Sequence, residues 1–350
     1  MGIIEISIFT ILFIYVAIKG EKKDRIVAVV GAVILFVVAA LRDKTVGIDT
    51  PGYVNHYKIL ASLDFESLKE YIVNNPDKYK DPTFYYTGWI FSRVLSNPQW
   101  WLCAISLIYI IAVGKLIYKE SQQTALSWLI LVSLSFYSIS LTGLRQTVAM
   151  SILILGYPFL KERRLIPFII TVLIASLYHQ TALVFLMIYP IATKRIGIYH
   201  IVFAAVAFIV FYAFQDWLLN FLGDVLQDDR FKSYTGGEAS QLTMVGFAIQ
   251  TVCLIFAMYY YKDMTSRYEH AIVLYNLSFV GWVIQIFSSF IAEFFRVSMY
   301  FSIFNIILVA NAASMERDKR SRSIVQIVVA IIFILYMIKD GKTYYQFFWQ

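Results

Sequence analysis

Gln99-Trp-Trp-Leu-Cys-Ala-Ile-Ser-Leu-Ile-Tyr-Ile-Ile-Ala-Val-Gly114 carries no charged side chain, and only after it come Lys115 and Lys119. A second uncharged run, Thr124-Ala-Leu-Ser-Trp-Leu-Ile-Leu-Val-Ser-Leu-Ser-Phe-Tyr-Ser-Ile-Ser-Leu-Thr142, follows at once. Crossing about 30 Å of hydrocarbon takes about 20 mostly apolar residues, and two such runs joined by a short basic turn read as a helical hairpin through a membrane. The whole chain repeats this design. Of its 350 residues 59% are apolar and 15% charged, and the mean hydropathy is +0.67, so its solvent is largely lipid and a soluble enzyme is excluded.

Working outward, apolar spans are predicted near 3–18, 26–41, 99–114, 124–142, 146–160, 165–178, 180–193, 200–219, 241–261, 270–291, 296–313 and 323–338. The fold class is therefore all-α, a polytopic integral membrane protein with about 12 transmembrane or re-entrant helices, or about 10 to 14 because the short pieces tilt, break or re-enter. Residues 1–350 read as one integral membrane domain. The first run contains Glu5 and ends in Lys19, which reads as a retained span and not a signal peptide.

Basic turns at Lys19/Lys22/Lys23/Arg25, Lys115/Lys119, Lys161/Arg163/Arg164, Lys194/Arg195, Lys262/Arg267 and Arg317/Lys319/Arg320/Arg322 alternate with longer or charge-poor loops. The positive-inside rule makes these turns cytoplasmic and both termini extracytoplasmic. The net charge of +7 follows from these turns, where it fixes orientation and meets anionic membrane lipid, so nucleic acid need not be invoked. Cys103 and Cys253 lie inside spans and form neither a metal set nor a disulfide framework.

The opposite loops include the acidic stretch 220–240 and the long segment 42–97, whose acidic and basic residues cancel. A loop of that length is structured or functional. In Val46-Gly-Ile-Asp-Thr-Pro-Gly-Tyr53, Gly47 permits a turn, Thr50 suits an N-cap and Pro51 the first helical position, predicting a helix from about 51 to 62. Phe65, Leu68 and Ile72 share one face of a short helix, and 83–97, between Pro82 and Pro98, is too short to span. Both pieces are expected along the outer interface, with Trp100 and Trp101 in its aromatic belt.

Arg42, Asp49, Arg145, His179, Glu293 and Arg296 border apolar spans, and the topology puts all six on the outer side. A charge at the centre of a membrane helix costs about 2.5–3.5 kcal/mol on insertion scales, so their convergence indicates a polar site on one face. Each also has a plainer reading. Arg42 suits a snorkelling anchor, Asp49 a helix-end charge, Glu293 and Arg296 an (i, i+3) ion pair, and His179 a hydrogen-bonded packing residue. Arg145-Gln146 points more firmly to chemistry. No hydrophilic loop separates its flanking spans, Gly143 allows a tight reversal, and the free N–H groups of the next helix with the guanidinium suit a phosphate. Tyr300 lies one turn after Arg296 on the same face.

In order, Arg42-Asp43, Val46-Gly-Ile-Asp49 with Tyr53, Leu144-Arg-Gln146, Ala175 with His179, and Arg296 with Tyr300-Phe301 form a set that resembles the EpsG-like family of bacterial polysaccharide polymerases, of the Wzy type. The resemblance covers nearly the whole chain and rests on the order of short motifs. Asp81-Pro-Thr-Phe departs from it, standing where a glutamate-like, glycine-containing segment is expected.

The resemblance implies a membrane-embedded glycosyltransferase with a GT-C-like architecture in the bacterial cytoplasmic membrane. It would act in exopolysaccharide, capsule or O-antigen synthesis, moving the growing chain from undecaprenyl diphosphate to the non-reducing end of another repeat unit on the outer face. It implies an undecaprenyl-diphosphate-linked oligosaccharide as substrate and a flippase and chain-length regulator of the same pathway as partners.

Arg145 and Arg296, supported by Arg42, would clamp the diphosphate in place of a metal, and His179 or Asp49 would be the base. Asp43, Tyr53, Gln146, Glu293 and Tyr300 would line the substrate site. No cofactor is implied. A flippase, or a membrane O-acyltransferase acting on surface glycan, shares the one-sided polar set. No internal repeat of the kind common in transporters is visible, and motif order separates the acyltransferase.

Overall fold

The computed structural model describes residues 2–195 without 77, residue 197, isolated positions between 206 and 220, and 241–350 without 289–292 and 340–344. The expected acidic loop 220–240 and most of the span at 200–219 lie outside the described residues. Those described are helical, with a single β-bridge between Arg42 and Phe347. They divide into two compact units, one of residues 1–186 with 313–350 and one of 187–312.

In the first unit α1 (Ile3–Ala17) and α2 (Lys23–Ala40) lead into the 42–97 segment. There α3 (Thr50–Ala61), α4 (Phe65–Val73) and α5 (Pro82–Ser92) form a small helical cap. The long α6 (Pro98–Glu120) follows. Three of these helices open on an X-Pro step, Thr50-Pro51, Asp81-Pro82 and Asn97-Pro98, because proline has its φ preset for the first turn and lacks an N–H that would be orphaned there. Asp64 caps α4 through the Ser67 N–H at 2.8 Å, and Asn97 caps α6 through the Gln99 N–H at 2.9 Å.

The helix expected at 51–62 is present one residue earlier. Asp49 takes the flanking position, and Thr50, expected as the cap, is enclosed and donates its hydroxyl to the Leu141 carbonyl at 2.7 Å. Gly47 makes the turn at φ +97°. A Cβ there would lie 2.5 Å from the Leu141 oxygen, so both conformation and close approach require glycine.

The apolar face of α4 is turned into protein. Leu68 and Ile72 are buried with Tyr57, Tyr79, Phe84, Tyr85 and Trp101 in one largely aromatic core, while Phe65 is exposed beside the Trp89 ring. Of the two tryptophans expected in an aromatic belt, only Trp100 faces outward. Aromatic pairs such as Tyr79–Tyr85 and Phe84–Trp101 supply the area that so short a segment needs to hold together.

The remaining helices of this unit are α7 (Thr124–Ser133), α8 (Phe136–Ser140), α9 (Leu144–Leu155), α10 (Tyr157–Lys161) and α11 (Leu165–Tyr178). Three expected spans are not continuous. That at 124–142 breaks where Ser135 turns left-handed at φ +60°. The one at 146–160 breaks at Gly156, two residues before Pro158, which has no N–H to continue the ladder. In place of the span 180–193 a 3-10 helix covers Gln180–Ile188, about 18 Å long at 2.0 Å per residue.

The second unit contains α12 (Gln241–Tyr259) and α13 (Tyr261–Arg267), bent by 64°. It continues with α14 (Ala271–Phe287), then α15 (Glu293–Ser302) and α16 (Asn305–Ala312), bent by 47°. Buried hydroxyls and amides join these helices, as Ser278 Oγ with Asn305 Oδ1 at 2.6 Å and Ser298 Oγ with the Gly281 carbonyl at 2.9 Å. The final helix, α17 (Lys319–Lys339), returns to the first unit and packs on α7. Among the described residues α6 and α17 are long and apolar enough to cross a membrane singly. The two bent pairs bring the number to four if each is one span, and several apolar helices are shorter.

Candidate functional site

Three separated pieces of the first unit meet where α5 begins, α9 begins and α11 ends. Asp81 immediately precedes α5, and its carboxylate does not cap that helix. Instead Asp81 Oδ2 accepts from Arg145 Nη1 at 2.7 Å and pairs with His179 Nδ1 at 3.0 Å, while Oδ1 accepts the Gln180 N–H at 3.1 Å. Arg145 Nε donates to the Tyr53 hydroxyl at 3.3 Å, which ties in α3. The Asp81 side chain is 6% exposed, and Arg145 and His179 retain 22% and 18%, so the carboxylate lies beneath two groups that still reach the surface.

Local structure explains the aim of each group. The reversal before Arg145 has the inverse γ form, with the Leu144 N–H on the Thr142 carbonyl at 3.0 Å and Gly143 at φ −82°, ψ 63°. The tight turn expected at Gly143 is thus present, in a conformation other residues also adopt. It puts Arg145 in the first turn of α9, where backbone N–H groups lack helical acceptors. His179 stands just past α11 with extended backbone, and Tyr178 before it meets Thr87 of α5, hydroxyl to hydroxyl, at 3.3 Å.

Burial raises the proton affinity of Asp81, but the His179 hydrogen bond, the His179 and Arg145 charges and the Gln180 N–H outweigh it, so its carboxyl is held below the ordinary range. At neutral pH Asp81 is therefore a carboxylate, which only accepts hydrogen bonds. His179 Nδ1 must then carry the proton, and a neutral ring keeps its lone pair on Nε2. An aspartate that fixes the tautomer and orientation of a histidine is the relation that lets an imidazole act as a general base.

Of the residues expected from sequence, Arg145, His179 and Tyr53 are brought together, around an aspartate that stands out in the sequence only as a departure from the resemblance. Asp49 is half-buried nearby in chain, its N–H bonded to Thr142 Oγ1 at 2.9 Å. Asp43 accepts from the Thr45 N–H and hydroxyl at 2.9 and 2.7 Å, closing its own turn. Gln146, next in the chain to Arg145, is buried.

Arg42, expected at the surface as an anchor or a supporting cation, is fully enclosed. Its Nη1 donates to the Ala39 carbonyl and to Ser106 Oγ, and Tyr345 and Phe347 cross over the end of α2 through the Tyr345 hydroxyl on Val38 and the Arg42–Phe347 bridge. In that position it is shielded from a ligand. Arg296 is exposed on α15 and Tyr300, a turn later, is buried within the second unit. The side chain of Glu293, and with it the expected ion pair, lies outside the described residues. Among the described residues no group of three or more His, Cys, Asp or Glu is arranged to hold a metal ion.

A model of the EpsG family matches residues 25–349, nearly the whole chain, and bears out the resemblance carried by the ordered motifs. No curated protein and no solved structure matches.

Proposed function

The chain belongs to the EpsG family of polysaccharide polymerases, membrane-embedded enzymes of polysaccharide synthesis, and we propose that it extends a glycan by transfer from undecaprenyl diphosphate to the non-reducing end of a lipid-linked repeat unit. The reaction would run on the outer face of the cytoplasmic membrane, in a GT-C-like bundle of about 12 crossings or re-entrant helices. The observation that carries this reading is the single carboxylate of Asp81 holding both Arg145 and His179.

Transfer breaks the bond between the anomeric carbon and the diphosphate oxygen and forms one to an acceptor hydroxyl. Negative charge grows on the departing diphosphate, and a proton must leave the acceptor. Arg145 is suited to the first need. Asp81 and Tyr53 engage Nη1 and Nε, leaving Nη2 without a partner among the described residues, beside the N–H groups opening α9. His179 is suited to the second, taking the hydroxyl proton on Nε2 while Asp81 holds Nδ1–H and balances the imidazolium formed. Of the two candidate bases, His179 has the orienting carboxylate. Tyr53 and Gln146 belong to the surroundings of Arg145. Arg42, enclosed as it is, stays outside.

The test compares surface and lipid-linked glycans in a wild-type host, a deletion strain, and strains complemented with native or Arg145→Ala protein. Loss of long chains with single repeat units exposed outside, restored only by native protein, is the expected result. Units trapped inside would mean a flippase, and full-length polymer lacking an acyl group an acyltransferase.

A further inference from the structure

A cavity of the first unit lies away from the polar cluster. It is a groove of about 370 Å³ between α2 and α6, a volume within the range of about 300–1,000 Å³ typical of small-molecule sites. Its floor is made of small residues, Ala28, Ala32 and Gly114, with a Cβ added at Gly114 only 3.3 Å from that of Ala32. Val33 and Ile111, 56% and 52% exposed, form its rims. From Leu107 to Tyr118 the groove follows eleven residues of helix, about 16 Å at 1.5 Å each, or about half of a 30 Å hydrocarbon layer. That is the depth of one leaflet.

One end of the groove is charged. Lys115 lines it, Lys119 follows one turn on, and Arg25 at the start of α2 lies over the Tyr118 ring at 6.0 Å. All three cations are exposed, and among the described residues none has an acidic partner, Glu120 being paired with Lys161 at 2.7 Å. An apolar channel one leaflet deep, ending in unpaired cations, is complementary to a lipid whose acyl chain lies against Ala28, Ala32 and Gly114 and whose anionic phosphate meets Lys115 and Arg25. We propose that this groove is a binding site for an anionic phospholipid, one molecule per chain. The site depends on membrane embedding and not on the transfer reaction.

The test uses purified full-length protein in nanodiscs of phosphatidylglycerol or of phosphatidylcholine, released and weighed intact by native mass spectrometry. One phosphatidylglycerol is retained, in preference to phosphatidylcholine by about tenfold or more, since each of the two basic residues near a membrane surface favours an anionic lipid by about fivefold. Lys115→Glu with Arg25→Glu removes the preference. Ile111→Trp, which fills the groove from an exposed rim, removes retention of either lipid. Lys319→Glu with Arg320→Glu, a basic pair at the start of α17, changes neither. Equal retention of the two lipids, undiminished retention in either groove variant, an equal loss in the α17 pair, or stronger retention of a long polyprenyl phosphate would each overturn the assignment.

Discussion

Asp81→Asn keeps the size of the side chain and removes its charge, at a position where one carboxylate serves three donors with two oxygens. An amide has one oxygen and an NH2, so at least one of Arg145, His179 and Gln180 must then face a donor. Hydrogen bonds to charged groups contribute about 1.5–3 kcal/mol each. At least one is inverted here and the others lose their charge, but Arg145 and His179 are about one-fifth exposed and can recover water, so a loss of about 2 kcal/mol in stability is expected.

The loss is pH-dependent in a fixed direction. A depressed carboxyl stabilises the folded state above the unfolded value, about 3.9, and ceases to do so as pH falls through the lower folded value. The gap between native protein and variant is therefore full at pH 7 and closes progressively below about pH 4. The effect on turnover is larger, because His179 loses the partner that fixes its tautomer and general base catalysis contributes about 10²–10⁴-fold. Thermal unfolding in detergent and chain-length analysis of product, both at pH 7, measure the two effects. A folded variant that polymerises at the native rate would refute the role given to Asp81 and, with it, to His179.

Three further outcomes rest on particular contacts. Arg145→Lys retains charge but cannot reach both Tyr53 and Asp81 with one ammonium, so product should fall by about 10²-fold or more in a glycan-ladder assay while the protein remains in the membrane. Gly47→Ala must accommodate a positive φ, costing about 1 kcal/mol, and a contact at 2.5 Å with the Leu141 oxygen. It should lower the unfolding temperature and also reduce activity by shifting α3 and Tyr53, and an unchanged melting curve would contradict the packing described. Arg42→Met removes a fully enclosed guanidinium whose Nε and Nη2 lack partners among the described residues, so stability should stay level or rise by up to about 4 kcal/mol in the same assay.

Much of this molecule is legible in its sequence because lipid imposes a simple pattern. Uncharged runs such as 99–114 become helices, and Gly47 and the X-Pro steps mark where helices of the 42–97 segment begin. Arg145 and His179 stand out as ionisable residues between apolar runs. Asp81 does not, since it is one acid in a charge-balanced loop, 64 residues from Arg145 and 98 from His179. Only its place before Pro82, in a segment that departs from the resemblance, gives any signal. The break at Ser135 is equally hidden, because serine carries no obligation to turn left-handed, whereas Pro158 announces its break by chemistry. Arg42 misleads for a different reason. Its burial depends on residues 345–350 folding back, a pairing no local pattern encodes.

The central claim is that this chain alone joins repeat units, with Arg145 and His179 acting around Asp81. Native protein and the Arg145→Ala and His179→Ala variants, each reconstituted in proteoliposomes with synthetic undecaprenyl-diphosphate-linked repeat units and EDTA, test it most directly. A ladder of products that appears with native protein and is absent with either variant is the predicted result. Single units left unjoined by well-folded native protein, or ladders of equal length from all three, would contradict it.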